Sequence, residues 1–263
     1  MGQLSGWAQA CIPETTDVVI LCGGQGTRLG AMSGNRPKPL LPVAGRPFLL
    51  HLLLRMKQEG FTRIILAAHY LAEQLRAFVA TCDGLGVRIE VVVEPEPLGT
   101  GGALRHAAGQ VRSPALIAMN GDSWVSQPLR PVLAEHARSE GSCTVVAVPA
   151  AHVEGGALAK GCWRVGPDGK VLGFSTPDAA DEGWVNAGLY VFSRELVLSW
   201  PTGPYSLEAS FEALLSRAKA SVFRSTGWLL DIGTPACYER AQQVLGSPSP
   251  GAAPPRRGRP PSG

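Results

Sequence analysis

Short apolar runs alternate with segments of helical spacing through the first 150 residues, and this alternation constrains the fold more than any other feature. Residues 18–22 form a β-branched apolar run that ends at two glycines, and residues 47–59 then have the apolar spacing of a helix. Further strands are predicted at residues 63–68, 87–93, 115–119 and 142–148, and further helices at residues 71–80, 103–109 and 128–140. This order predicts an α/β fold with a mostly parallel sheet flanked by helices.

The second half of the chain changes to a β-rich pattern. Residues 162–165 and 170–174 are joined by Gly-Pro-Asp-Gly, which predicts a hairpin. Additional strands are predicted at residues 187–192, 221–224 and 227–230, and additional helices at residues 206–219 and 235–245. We therefore predict one domain over residues 1–246, with a Rossmann-like sheet followed by a β-rich second half.

The net charge of the chain is concentrated in its last residues. The whole sequence has 24 Lys and Arg against 21 Asp and Glu, and residues 247–263 contain three arginines and no acid. The rest of the chain is therefore formally neutral, which excludes the strongly basic surface of a typical nucleic-acid-binding protein. Six prolines and many small residues predict that the 247–263 tail is disordered.

Cysteine spacing and the apolar runs bear on the cellular compartment. The six cysteines have no CxxC spacing, which favours free, reduced thiols over a disulfide framework. No segment has the pattern of a signal peptide, and no apolar run approaches the roughly 18 residues of a membrane span. The sequence therefore predicts a cytoplasmic protein that does not insert into a membrane.

The most informative motif is a glycine-rich loop at residues 23–28, which read GGQGTR after the first predicted strand. Glycines allow the backbone to bend sharply and to approach a phosphate closely, with its N–H groups directed at the oxygens. Arg28 and Lys38 add positive charge beside this loop. The P-loop pattern is absent, and a dinucleotide fingerprint that began at Gly24 would have Leu29 where its third glycine is required.

The combination GGxGTRL followed by RPKPLLPVAGRP resembles the sugar-1-phosphate nucleotidyltransferases, and the resemblance covers about residues 17–245. It implies that an oxygen of a sugar 1-phosphate attacks the α-phosphorus of a nucleoside triphosphate and that pyrophosphate leaves. Because the nucleophile is already an anion, the reaction needs alignment and charge neutralisation more than a strong base. The resemblance implies that Arg28 and Lys38 are catalytic and that the nucleotide is bound by Leu21, Gly23, Gly24, Gly26 and Thr27.

A second glycine-rich motif, EPEPLGTGG, occupies residues 94–102. Taken alone it is compatible with an ordinary turn between a strand and a helix. The resemblance implies that it lies against the nucleobase, with nucleotide contacts from Glu94, Gly99, Thr100 and Gly101. Its form resembles the guanylyl-transferring branches, above all the enzymes for heptose 1-phosphate and next those for mannose 1-phosphate, which favours GTP as the nucleotide.

Two aspartates are candidate metal ligands. Asp122 ends an Asn-Gly-Asp sequence directly after a predicted strand, where a carboxylate faces the ligand crevice of such sheets. Mg²⁺ prefers one or two carboxylates together with phosphate oxygens and water. Residues 228–235, WLLDIGTP, resemble the WxDIGTP segment of the family, which implies that Asp231 is the second Mg²⁺ ligand. The resemblance also implies that Asn120, in the Asn-Gly-Asp sequence, contacts the nucleotide. Each aspartate alone is also compatible with a turn or a helix start.

The resemblance assigns the sugar to the β-rich half. It implies that Asn186 and Glu208 bind sugar hydroxyls and that Gly161 allows the sugar to approach, although Glu208 is also a candidate helix cap. One position departs from the family pattern, because Pro177 occupies the usual place of a lysine that holds the sugar phosphate. Lys160 is a candidate substitute for that lysine.

These observations predict guanylyl transfer from GTP to D-glycero-D-manno-heptose 1-phosphate, which gives a nucleotide-sugar for polysaccharide biosynthesis. One alternative is transfer to mannose 1-phosphate, or another pair of nucleotide and sugar. The other is a regulatory protein that binds nucleotide-sugars without turnover; Pro177, in place of the usual lysine, favours this alternative. The predicted partners are the two substrates, with no nucleic acid and no membrane. Homo-oligomerisation stays open.

Overall fold

The computed structural model describes residues 11–24, 29, 34–139, 142–154, 161–175, 183–215 and 218–247. The strands in these ranges are β1 (Asp17–Leu21), β2 (Pro42–Val43), β3 (Arg46–Pro47), β4 (Arg63–Ala68), β5 (Arg88–Val93), β6 (Ala115–Asn120), β7 (Ser123–Val125), β8 (Cys143–Pro149), β9 (Val153–Glu154), β10 (Cys162–Val165), β11 (Val171–Ser175), β12 (Trp184–Ser193), β13 (Ala220–Arg224) and β14 (Leu229–Asp231). The helices are α1 (Phe48–Gln58), α2 (Ala72–Ala80), α3 (Gly99–Ala107), α4 (Leu129–Arg138), α5 (Arg194–Ser199), α6 (Phe211–Leu215) and α7 (Pro235–Leu245).

A nine-stranded mixed sheet forms the centre of the described part of the chain. Its order is β11-β10-β12-β6-β1-β4-β5, with β8 beside β12 and β13 beside β8. The strands β6, β1, β4 and β5 are parallel, as the alternation in the sequence predicts, whereas β12 runs antiparallel to β6, to β8 and to β10. The α/β class is confirmed; β8 and β13, later in the chain, form a further parallel pair. The carboxyl ends of β1 and β6 therefore meet the start of β12 at one edge.

The sheet is buried on both faces because successive residues of its central strands enter two different apolar clusters. In β1, Val18 and Ile20 belong to one cluster and Val19 belongs to the other. Helix α1 covers the first face with the apolar side chains of its helical repeat, and α3 covers the second face with Leu104 and small alanines. The near-continuous apolar runs of the strands follow from this two-sided burial.

Two predicted elements differ from the structure. Helix α3 begins at Gly99, four residues before the predicted start at residue 103, because its glycine-rich first turn packs against the segment around Tyr205. The helix predicted at residues 206–219 is replaced by a 3-10 turn, Glu208–Ser210, followed by the short α6. Side-chain bonds to Glu208 and the Ser206 hydroxyl hold that turn, which local apolar spacing does not reveal.

All six cysteines are free and buried, as the absence of paired spacing predicts. Within the described ranges, no helix has the length and apolar character needed to cross a membrane. The predicted disordered tail lies outside the described residues from position 248 onward.

Candidate active site

A cavity of about 330 Å³ opens at the carboxyl ends of the parallel strands. Its walls come from five places: the end of β1 and the residues after it, the turn around Lys38, the end of β4, the segment from β5 into α3, and the end of β6. The predicted site residues that line this cavity are Leu21, Gly23, Gly24, Lys38, Glu94, Gly99, Thr100, Asn120 and Asp122. The predicted residues Gly26, Thr27 and Arg28 lie outside the described part of the chain.

Lys38 is fixed at the mouth of this cavity. It begins a 3-10 turn, Lys38–Leu40, between Pro37 and Pro39, and the prolines restrict the backbone on both sides. The side chain is only 10% exposed, and its Nζ donates to Oδ2 of Asp122 at 2.6 Å. A lysine ammonium is thus held beside a carboxylate at the place where the sequence predicts phosphate chemistry.

A small second sheet brings Asp231 to the same place. Strand β14 pairs with β7 so that Asp231 lies opposite Ser123, and the Ile232 N–H donates to the backbone oxygen of Asp122 at 3.0 Å. The Asp231 carboxylate accepts from the Gly233 N–H. A Cβ at Gly233 would overlap that carboxylate and would lie 3.2 Å from Nζ of Lys38, so only glycine leaves room for the three charged groups.

The donor set fits a magnesium ion. No group of three or more His, Cys, Asp or Glu side chains that could enclose a metal occurs in the ranges that the structure describes. Mg²⁺ typically takes one or two carboxylates and completes its shell with substrate phosphates and water, and the two aspartates beside the lysine meet that requirement.

Glu94 is buried under the glycine-rich loop. It is 5% exposed, and its Oε2 accepts from the Leu98 N–H at 2.9 Å. A Cβ at Gly23 would lie 2.7 Å from Oε1, so the backbone at Gly23 lies directly against this carboxylate. Burial raises the pKa of Glu94 above the usual value of 4.5. A carboxylate in that position presents a polar oxygen inside a mostly apolar part of the cavity wall.

Because the pKa of Glu94 is raised, we expect the stability of the fold to depend on whether this carboxyl is charged. Its ionisation opposes folding as the pH rises above the usual carboxyl range, because the unfolded chain loses this proton more readily than the folded chain. The substitution Glu94→Gln keeps an acceptor for Leu98 and removes the charge, so we expect a higher melting temperature than wild type at pH 7. The difference should vanish as the pH falls below 4.5. Thermal melts of both proteins from pH 7 to below pH 4.5 measure this difference in melting temperature. Glu96→Gln is the control, because Glu96 is exposed. A destabilised Glu94→Gln at pH 7 would contradict it.

The second glycine-rich motif is divided between two surfaces. Gly99 and Thr100 line the cavity, whereas Gly101 is buried and a Cβ on it would overlap the ring of Tyr205. A Cβ on Gly102 would overlap the backbone oxygen of Gly203. The glycines of this motif therefore allow close contact with the segment around residue 205, in addition to any contact with a ligand.

The predicted sugar-binding residues lie beyond the 330 Å³ cavity, on the β-rich side. Asn186 is 1% exposed, and its Oδ1 accepts from Nε1 of Trp163 at 3.3 Å while its Nδ2 donates to the Tyr190 hydroxyl at 2.8 Å. Burial, and to a smaller extent the charge of the nearby Glu208 carboxylate, raise the pKa of Tyr190. The Glu208 carboxylate accepts from the hydroxyls of Thr100 and Ser206. The backbone oxygen of Gly161 accepts from the Asn186 N–H at 2.9 Å.

Not every predicted contact on this side falls within the structure. A Cβ on Gly161 would overlap the ring of Phe174, so this glycine has a packing role in the structure. Lys160 and Pro177, which concern the departure from the family pattern, lie outside the described residues.

The cavity also contains residues that the sequence reasoning missed, among them Cys22 and His69. His69 directly follows β4, so the rule that ligands bind at the carboxyl ends of parallel strands could have identified it. Cys22 follows β1 in the same way, and its burial raises the pKa of the thiol, which disfavours a thiolate nucleophile.

The parallel strand ends, the first two glycines of the glycine-rich loop and a lysine beside two aspartates meet at one cavity of an α/β fold, an arrangement suited to phosphate groups. The chain belongs to the nucleotidyl transferase family, because the sequence model of that family matches residues 17–247.

Two relatives of this chain carry the names of guanylyltransferases for different sugar phosphates. A mannose-1-phosphate guanylyltransferase of Mycobacterium tuberculosis is 35% identical over 243 residues, which cover 89% of this chain and 66% of that protein. A D-glycero-alpha-D-manno-heptose 1-phosphate guanylyltransferase of Aneurinibacillus thermoaerophilus is 28% identical over 233 residues, which cover 87% of this chain and 98% of that protein. The chain thus spans slightly less than two thirds of the first relative's length and nearly all of the second's.

A solved structure agrees with the fold. The crystal structure of HddC from Yersinia pseudotuberculosis complexed with GMP-PN has a TM-score of 0.77 and 28% sequence identity, and the match covers 88% of this chain and 99% of HddC.

Proposed function

We propose that the protein transfers a guanylyl group from GTP to D-glycero-D-manno-heptose 1-phosphate, giving the nucleotide-sugar and pyrophosphate. The observation that carries the reaction class is the convergence of Lys38, Asp122 and Asp231 at one end of the cavity. The form of the 94–102 motif and the similarity to heptose 1-phosphate guanylyltransferases support the choice of base and sugar.

Mannose 1-phosphate is the second candidate sugar. The specific observation in its favour is the 35% identity to the mycobacterial mannose-1-phosphate enzyme, which exceeds the 28% identity to the heptose enzyme. The names of both sugars specify the manno configuration. The described contacts of Asn186 and Glu208 favour neither sugar over the other.

Some residues of the proposed site neutralise phosphate charge, and others position the two substrates. Asp122 and Asp231 would hold a Mg²⁺ ion, which neutralises phosphate charge when it is bound. Lys38 lies beside both carboxylates and can donate to a phosphate oxygen when its bond to Asp122 opens. We propose that Arg28, in the glycine-rich loop, supplies a second positive charge to the phosphates. The backbone after β1 and the first turn of α3 enclose the nucleotide, and Asn186, Glu208 and Gly161 form the sugar side.

Pyrophosphate release measured with Mg²⁺ tests this function. Each of the four ribonucleoside triphosphates is combined with heptose, mannose or glucose 1-phosphate, and we expect the fastest release with GTP and the heptose phosphate. A preference for mannose 1-phosphate selects the second candidate. Nucleotide binding without release from any pair would contradict the enzyme and support the regulatory alternative.

The domain boundary is also a proposal. We propose that residues 1–246 form the catalytic domain, which acts in the cytoplasm on its two substrates without nucleic acid or membrane. The last described helix, α7, ends at Leu245, whose side chain is buried in the main apolar cluster.

Deletion of residues 248–263 is therefore expected to leave kcat and the KM for GTP within about twofold of wild type, since surface changes away from the core have small effects. Steady-state kinetics of the two chains measure this. Replacement of the three tail arginines by glutamine serves as the matched control for charge, and a large loss in either variant would show that the tail takes part in the reaction.

A further inference from the structure

The first turn of α3 is docked on the segment of residues 203–208, which we call the sugar-side segment. The Gly101 N–H donates to the backbone oxygen of Tyr205 at 3.1 Å, and the Tyr205 N–H donates to the backbone oxygen of Leu98 at 2.9 Å. The glycines at positions 101 and 102 allow the two backbones to approach this closely. The turn that lines the nucleotide cavity and the segment that carries Glu208 are therefore joined by direct backbone bonds.

The Thr100 hydroxyl completes this junction. It donates its proton to Oε2 of Glu208 at 2.7 Å and accepts from the Leu207 N–H at 2.8 Å. A threonine hydroxyl has one proton, so this bond leaves none for a phosphate or a base. The Ser206 hydroxyl donates to the same Oε2 at 3.1 Å, so two hydroxyls fix one oxygen of the Glu208 carboxylate.

We propose that Thr100 is a positioning residue that orients the Glu208 carboxylate for the sugar, and that it couples the nucleotide side of the cleft to the sugar side. This inference rests on the proposed function, because it takes Glu208 as the residue that binds the sugar. It also changes the role predicted for Thr100 from its sequence motif: the side chain serves the sugar subsite, while the backbone around it borders the nucleotide cavity.

This junction links restraint of the first turn of α3 to the orientation of Glu208. A nucleotide that packs against the first turn of α3 restrains that turn, and the bonds at Thr100 and Leu207 transmit the restraint to Glu208. A carboxylate that is already oriented loses less freedom when the sugar binds. Bound nucleotide therefore increases the affinity for the sugar 1-phosphate, and the reverse holds by linkage.

The test compares Thr100→Val, which has the same shape without the hydroxyl, with Thr100→Ser, which keeps the hydroxyl. In steady-state assays we expect Thr100→Val to raise the KM for the sugar 1-phosphate about tenfold, because hydrogen bonds to charged groups are the stronger ones. The dissociation constant for GTP measured without the sugar phosphate should change less than about twofold, because the coupling acts only when both ligands are bound. Thr100→Ser should restore the sugar KM. Thr81→Val is the matched control, since Thr81 is exposed at the end of α2 and bonds only locally to the Phe78 oxygen.

A double-mutant cycle separates action through Glu208 from a general packing effect. Once Glu208→Gln has removed the charge, adding Thr100→Val should change the sugar KM by much less than it does in the wild-type background. Thr100→Cys, whose S–H group is only a weak donor, provides the same comparison if the valine variant does not fold.

Three results would overturn the inference: an unchanged sugar KM in Thr100→Val, an equally large loss of GTP affinity in the absence of the sugar phosphate, or full additivity with Glu208→Gln. These outcomes differ from failure of the proposed function, in which the wild-type protein itself releases no pyrophosphate. In that case calorimetry with the sugar 1-phosphate and a non-reactive GTP analogue still tests the coupling, because loss of the analogue's effect in Thr100→Val supports it and equal effects contradict it.

Discussion

Asp122→Asn should lower kcat by about 10³-fold or more, because it removes a charged ligand from the metal and leaves the phosphate charge poorly neutralised. The Asp122 carboxylate accepts from Lys38, and the Asp122 backbone oxygen accepts from the N–H of Ile232, directly after β14. Asparagine has nearly the same shape and retains an acceptor oxygen, so the fold should persist. The measurement is pyrophosphate release over a range of Mg²⁺ concentrations, together with a thermal melt.

The control for this substitution is Asp83→Asn, which removes an exposed carboxylate in the turn after α2. We expect activity within about twofold of wild type there, since isolated surface substitutions have small effects. If Asp122→Asn keeps substantial activity at ordinary Mg²⁺ concentrations, Asp122 is not a metal ligand, whatever its position in the cleft.

Lys38→Arg should lower kcat by about 10²-fold, although it preserves the charge. The Lys38 ammonium occupies a space bounded by the Asp122 carboxylate at 2.6 Å and by the Gly233 backbone, where even a Cβ would lie 3.2 Å away. A guanidinium is larger and planar, and its donors are arranged as a rigid fork, so it cannot occupy the position of Nζ without displacing its neighbours. Single-turnover kinetics with saturating substrates measure the chemical step directly.

Lys57→Arg is the matched control, because Lys57 is exposed near the end of α1. Wild-type rates are expected for that variant. A Lys38→Arg enzyme with an unchanged single-turnover rate would show that positive charge alone is sufficient at this position, and that the confined geometry around Nζ has no part in the reaction.

Local sequence patterns predicted the parallel half of the fold well. The strand predicted at residues 63–68 and the helix predicted at residues 235–245 have the same bounds in the structure. Both are compact apolar or amphipathic segments with clear ends, so their identity is fixed by neighbours in the chain. The helix predicted at residues 206–219 begins with a 3-10 turn at Glu208–Ser210, before the α-helix that starts at Phe211. Bonds from Thr100, a residue far away in the sequence, fix Leu207 and Glu208 there.

The candidate site was predictable to the extent that its residues occur in motifs. Lys38, Asp122 and Asp231 are each identified from their surroundings in the sequence, yet their meeting depends on the pairing of β14 with β7 and on the space left by Gly233. No local pattern indicates that a hydroxyl in a nucleotide motif bonds to a carboxylate in a sugar motif. Contacts between distant segments require the folded arrangement.

The distances along the chain between the members of the charged centre have a consequence for how the protein is made. Lys38 and Asp122 are 84 residues apart, and α7 returns to the start of the chain, where Gln242 accepts from the Ala44 N–H across 198 residues. Contacts of such long sequence separation form late, since their loop-closure cost precedes any gain. A ribosome releases this chain from its beginning, so the centre stays incomplete until β14, which carries Asp231, has emerged. A chain cut before β14 therefore lacks one of the two carboxylates of this centre.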